Sequence, residues 1–119
     1  MQYLLMIYEN EDLMKDMSPE AGAKVFEEYK LFTQSIVESG HFKAGDALEP
    51  VATATSVRVK DGKTITTDGP FAETKEQLGG YYLVEAKDLD EAIGIAARIP
   101  AARTGTIEVR PVMMFDPGM

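Results

Sequence analysis

The chain opens on an unbroken apolar run, Tyr3-Leu4-Leu5-Met6-Ile7-Tyr8, closed by Glu9-Asn10-Glu11-Asp12. The run is too short for a globular helix, and its bulky residues suit a strand. In a strand Tyr3, Leu5 and Ile7 face one way, and Leu4, Met6 and Tyr8 the other. Both faces are apolar, so both need cover. The period then becomes helical: Val25, Tyr29, Phe32, Ile36 and Val37 recur with Glu27, Glu28, Lys30 and Gln34 between them. Ser18-Pro19-Glu20 marks the start, with Ser as N-cap, Pro at the first position and Glu at the positive end of the dipole. Gly40 supplies a left-handed C-terminal cap. The pattern predicts a helix over about Pro19 to Ser39.

From His41 to Leu48 the signal weakens. Phe42, Ala44, Asp46 and Leu48 alternate as one strand face, interrupted by Gly45 and ended by Pro50. Residues 56–60 and 63–67 flank Asp61-Gly62 and predict a two-residue hairpin with a type I′ turn. Residues 80–85 predict a further strand. Asp88 to Glu91 has the capping-box spacing, and the helix it opens, about Leu89 to Ile99, sets Ala92, Ile93 and Ala96 inward until Pro100 stops it. Residues 105–110 alternate as a last strand, with Ile107 and Val109 on one face and Glu108 and Arg110 on the other.

The order is strand, helix, strand, hairpin, strand, helix, strand. Two helices cannot cover both faces of such a sheet. The expected architecture is α+β: a ferredoxin-like antiparallel sheet with two helices on one face. A second copy is the simplest cover for the other face, and a homodimer packed sheet against sheet is predicted.

Composition narrows the chemistry. The chain has 119 residues, a single-domain length, and no cysteine, which excludes disulfides, thiolate metal sites and a cysteine nucleophile. Its net charge of -8 opposes a nucleic-acid partner. No membrane span or signal peptide is read, so a cytoplasmic location is expected. One histidine and scattered carboxylates show no metal-ligand spacing. No cofactor is expected, since phosphate loops and serine nucleophile elbows are absent.

The densest stretch runs from Thr66 to Tyr82. Its Asp68-Gly69-Pro70-Phe71, Glu73, Lys75-Glu76 and Gly79-Gly80-Tyr81 resemble the signature of the DGPF-domain branch of the YCII-related proteins. Val57-Arg58, Asp90-Glu91-Ala92, Pro100 and Glu108-Val109-Arg110-Pro111 extend the resemblance over nearly the whole chain. The resemblance implies a dimeric α+β barrel, in a superfamily that includes muconolactone isomerase-like enzymes and small monooxygenases. It also implies association with sigma factors of the extracytoplasmic-function type. Related proteins are credited with a His-Asp pair in a cleft; the one histidine here, His41, has no residue-by-residue match to it.

Each candidate carries two readings. Asp68 is a general base or the organiser of the Gly69-Pro70 turn, which would place Gly69 in extended geometry. Phe71 is expected to anchor that loop in the core. Glu73 and Glu76 face a substrate or solvent. Gly79-Gly80 admits a ligand, forms a bulge or packs across a dimer. Tyr81 donates to a substrate or fills the core. Glu108 and Arg110, joined by Arg58, hold an anionic substrate or form a structural salt bridge. His41 takes part in the chemistry, or only contacts a helix terminus. The expected function is a small-molecule-binding dimer, with the site in the cleft between helices and sheet. As an enzyme it would do cofactor-free proton transfer of the isomerase or cyclase type, with Asp68 as base and Tyr81 or Arg110 stabilising negative charge. The alternative is a non-catalytic accessory or regulatory module acting with a sigma factor.

Overall fold

The computed structural model describes residues 1–115; the last four, which the sequence reading put in the same domain, lie outside the described residues. Strand β1 (Gln2–Glu9) leads through a one-turn helix α1 (Asp12–Lys15) to the long helix α2 (Pro19–Glu38). Strands β2 (Phe42–Ala47), β3 (Thr55–Lys60), β4 (Lys63–Asp68) and β5 (Gln77–Glu85) follow. Helix α3 (Leu89–Ala97) and strand β6 (Thr106–Pro111) complete the fold. Four strands form an antiparallel sheet in the order β2-β5-β1-β6, while β3 and β4 form a separate two-stranded ribbon. The main sheet has the ferredoxin-like arrangement that the pattern predicted. The one-turn helix α1 had no signal of its own.

The helix ends follow local chemistry. Ser18 Oγ accepts the Ala21 amide at 3.1 Å, with Pro19 at the first helical position. At the far end Gly40 takes φ +81°. His41 N–H then reaches Ile36 O at 3.0 Å and Gly40 N–H reaches Val37 O at 3.1 Å, a Schellman closure. In α3, Asp88 Oδ1 accepts the Glu91 amide at 2.9 Å. Glu91 does not return the bond to Asp88 as a capping box would; it accepts the Lys87 amide at 3.1 Å.

The core lies between the helices and one sheet face. Tyr3, Leu5, Ile7, Tyr82 and Val84 from the sheet meet Phe32 and Ile36 of α2 and Ala92, Ile95 and Ala96 of α3. Leu5 and Ile36 are fully enclosed, each contributing about 1.5–3 kcal/mol by burial. Two inward assignments from periodicity fail. Val37 is exposed, because Phe32 and Ile36 already fill the stripe facing the sheet. Ile93 is 49% exposed, because the buried stripe of α3 runs through Ala92, Ile95 and Ala96.

The opposite face carries no helix. Register places Arg110, Leu4, Leu83 and Ala44 in one row across it, and Glu108, Met6, Tyr81 and Asp46 in the next. Phe42 does not share that face with Ala44 and Asp46, as alternation suggested. A register shift between Phe42 and Ala44 turns Phe42 to the helix side, where it packs on Tyr82.

Candidate functional site

A cleft of about 800 Å³ opens between α2 and the β2–β5 edge of the sheet. Phe26, Tyr29, Phe42 and Tyr82 give it aromatic walls; Thr33, Glu9 and Glu11 are among its polar groups. A second hollow, about 420 Å³, lies beside Phe32. There the Arg98 guanidinium sits 5.4 Å from the Phe32 ring centre and donates to Ser35 Oγ at 2.5 Å. The larger cleft has the mixed character of a small-molecule site.

Two glycines bring β2 and β5 into position. A Cβ on Gly45 would stand 2.8 Å from Cδ1 of Tyr82, so the bare backbone lets the Tyr82 ring lie against β2. A Cβ on Gly80 would stand 2.9 Å from Asp46 O. Gly79 is the extra residue of a bulge, since Ile7 pairs with Gly80 and Tyr8 with Leu78. Of the readings open for Gly79-Gly80, the bulge and a close backbone approach within one protomer are present.

Tyr82 is fixed from three sides. Its ring meets Phe32 edge-on at 5.2 Å and Phe42 at 6.4 Å, and its hydroxyl is 2.7 Å from Thr33 Oγ1. Its neighbour Tyr81 points to the opposite face, where its hydroxyl donates to Asp46 Oδ2 at 2.6 Å. That bond holds the Tyr81 phenol above its ordinary pKa, because ionising it would set two negative charges side by side. Burial, reinforced by the Glu9 carboxylate, pushes Tyr29 up to about 12. Both phenols are therefore proton donors at neutral pH. Glu9 and Glu11 stand along the cleft against one cation, Lys15.

Of the site residues proposed from the sequence, Tyr81 alone borders this cleft, and its side chain turns to the open sheet face. Asp68 ends β4 opposite Thr55, exposed and without a side-chain hydrogen bond among the described residues. Its turn is held by backbone and by Ser56: Gly69 N–H donates to Ala54 O at 2.7 Å, and Ser56 Oγ donates to Gly69 O at 2.8 Å. Gly69 is not extended but takes φ +98°, a conformation that excludes most side chains. Phe71 does not enter the core; it is 84% exposed. Arg58 and Glu73 are exposed, and Glu76 accepts the Thr106 hydroxyl at 2.8 Å. Glu108 and Arg110 pair at 2.8 Å on the open sheet face, so Glu108 shares a row with Tyr81. Arg58 does not reach them as a salt-bridge partner.

His41 stands apart, bridging the end of α2 and the start of α3. Its Nδ1 is 2.6 Å from Ser39 Oγ and its Nε2 is 3.1 Å from Glu91 Oε1. The Lys87 amide, followed by His41, holds Glu91 below the usual carboxylate range. Asp46 is the residue that sequence reasoning passed over. Its only signal was an acid in a strand of small residues, and strand pairing was needed to set it beside Tyr81. Among the described residues no cluster of three His, Cys, Asp or Glu side chains is placed to hold a metal ion. Nor is any helix there long and apolar enough to cross a membrane.

A ferredoxin-like sheet, helices on one face and an aromatic cleft at one edge define the general class. Within it the chain belongs to the YCII-related family, whose domain model matches residues 1–116. It is 38% identical over 120 residues to an uncharacterised protein of Rhizobium meliloti (strain 1021), a match covering 99% of this chain and 97% of that one.

Proposed function

We propose that the chain acts as a two-fold dimer that binds a small organic molecule at the β2–β5 edge of the sheet and moves a proton on it without a cofactor. The observation that carries this reading is the 2.6 Å hydrogen bond between Tyr81 and Asp46 on the open face of that edge, behind the aromatic cleft. A carboxylate and a phenol of opposite proton affinity in contact are a base and an acid. Asp46 accepts a proton from carbon or hydroxyl, and Tyr81 donates its hydrogen bond to the oxygen where charge develops. This moves the base from Asp68, on the ribbon, to Asp46, on the β2 edge of the main sheet.

The lining favours a ligand class. Aromatic walls suit a flat ring or unsaturated chain, and the acids Glu9 and Glu11 repel an anion. The substrate is therefore a neutral cyclic ketone, lactone or phenol rather than the anion expected from Arg110. In the dimer the open sheet faces pack together about β1, and the Tyr81–Asp46 pair, at the β2 edge, stays exposed at the rim. Leu4, Met6, Tyr8 and Leu83, half-buried in one protomer, would then be covered. The test is amide chemical-shift mapping with 1,3-cyclohexanedione and an unsaturated five-membered lactone. Shifts centred on Thr33, Gly45, Asp46 and Gly80 to Tyr82 are expected. Shifts absent there, or centred on the Phe32 hollow, would contradict the assignment.

A further inference from the structure

Arg98 stands just past the end of α3, and its backbone is clamped. Its amide donates to Ile95 O at 3.1 Å, and the next residue, Ile99, is enclosed in the core. The negative end of the α3 dipole favours a cation there. The side chain is held as well. The guanidinium lies over the Phe32 ring and donates through Nη2 to Ser35 Oγ at 2.5 Å. Ser35 presents an acceptor to it, because the Ser35 hydroxyl hydrogen is already given to Phe32 O at 2.6 Å.

These contacts use part of the group. A guanidinium carries five N–H donors in a fixed fork, and only one here meets Ser35. Among the described residues no carboxylate pairs with Arg98, whereas Lys15, Arg103 and Arg110 are each matched to an acid. The chain has 20 acidic residues against 12 basic ones, so the unmatched fork is not for want of acids. Arg98 is exposed, and its remaining donors are open to a ligand.

The surroundings say what kind. Arg98 borders the 420 Å³ hollow, where Leu31, Phe32 and Pro100 supply an apolar surface. Glu28 is the acid of its lining, and Arg103 neutralises it. The hollow is therefore left with one net positive charge beside an apolar wall. A planar fork takes a carboxylate through two parallel bonds. An inorganic phosphate would fit the fork but leave the apolar wall unused, and its second charge would stand against Glu28.

We propose that the hollow between Phe32 and Arg98 is a binding site for a small monocarboxylic acid with a short apolar body. Arg98 takes the carboxylate, and the body lies on Leu31 and Pro100. This site goes beyond the reading above and is independent of it. It shares no lining residue with the aromatic cleft, and its charge is of the opposite sign to that of Glu9 and Glu11. Phe32 stands between the two, with Arg98 over its ring and Tyr82 meeting it edge-on.

The test is a titration of the 15N-labelled chain with 3-phenylpropanoate, its uncharged analogue 3-phenylpropanamide, and inorganic phosphate. The acid is expected to give saturable shifts at the amides of Leu31, Phe32 and Ser35 and at the Arg98 Nε–H. The amide, which lacks the charge, and phosphate, which lacks the apolar body, should each bind at least about 10-fold more weakly. Arg98→Gln should weaken the acid by a similar factor. Equal binding of acid and amide would make the hollow merely apolar and overturn the proposal. Phosphate binding as tightly as the acid would make it a site for adventitious anions only and overturn it too. So would an acid that shifts none of these groups, or one that binds Arg98→Gln as it binds wild type. The ligand comparison uses wild-type protein and decides the matter whether or not the variant folds. None of these outcomes bears on Tyr81 and Asp46, which lie outside the hollow.

Discussion

The Tyr81 hydroxyl donates to Asp46 Oδ2 at 2.6 Å across the β2–β5 pair. The contact depends on register: Asp46 faces Tyr81 because Gly45 faces Tyr82 and Ala47 faces Gly80. One step of slip would exchange the hydroxyl of Tyr81 for that of Tyr82, which Thr33 already occupies.

The first prediction concerns the phenol. Asp46 holds Tyr81 above the ordinary value of 10.0 through that bond and its charge. In Asp46→Asn the charge is gone, so ultraviolet absorbance titration should show one tyrosine moving down toward 10.0. An unchanged titration would mean that the contact is not made in solution.

The second concerns backbone approach. A Cβ at Gly80 meets the Asp46 carbonyl at 2.9 Å, and that partner is backbone that cannot rotate away. Gly80→Ala should destabilise the fold by about 1–3 kcal/mol in urea unfolding, the usual range for overpacking. Gly94→Ala, where a Cβ meets nothing within 4 Å, is the control and should stabilise the helix by about 0.5–1 kcal/mol.

Most of the architecture was legible in the sequence because local signals agreed. Ser18-Pro19, Gly40, Asp88 and Asp61-Gly62 each state a backbone demand, and each is met where it was read. The site was not legible, because it is assembled by strand pairing. Nothing near Asp46 in sequence names Tyr81, and the shift between Phe42 and Ala44 breaks the alternation that would have sorted their faces. The Asp68-Gly69-Pro70-Phe71 motif drew attention through its backbone demands. Those demands are real at Gly69, but the side chains of Asp68 and Phe71 face solvent in the protomer.

Asp68 gives the third prediction. Its carboxylate is exposed and makes no hydrogen bond among the described residues. Asp68→Asn should change stability by no more than about 0.5 kcal/mol, as surface substitutions usually do. A loss above about 1.5 kcal/mol would show the carboxylate accepting a charge-assisted bond in the folded protein.

The fourth is a pH dependence. Glu91 is lowered in the folded protein from an ordinary 4.5 by the Lys87 amide and His41. A carboxylate with a depressed folded pKa binds fewer protons folded than unfolded. Its stabilisation is present above about pH 4.5 and is lost as pH falls through the folded value. Glu91→Gln should flatten the stability profile below pH 4.5 relative to wild type. Identical slopes would show that the Lys87–Glu91–His41 contacts do not favour the folded state.

The most direct test of the proposed chemistry is proton exchange at carbon. Small cyclic 1,3-diketones and unsaturated lactones are incubated in D2O with wild type, Tyr81→Phe or Asp46→Asn, and deuterium uptake is followed by proton NMR. Protein-dependent exchange is expected, falling at least about 100-fold in Asp46→Asn, the usual size of a general-base contribution. The variant should remain folded by circular dichroism. Equal exchange by wild type and Asp46→Asn, or none above buffer with any probe that binds at the β2–β5 edge, would contradict the proposed chemistry.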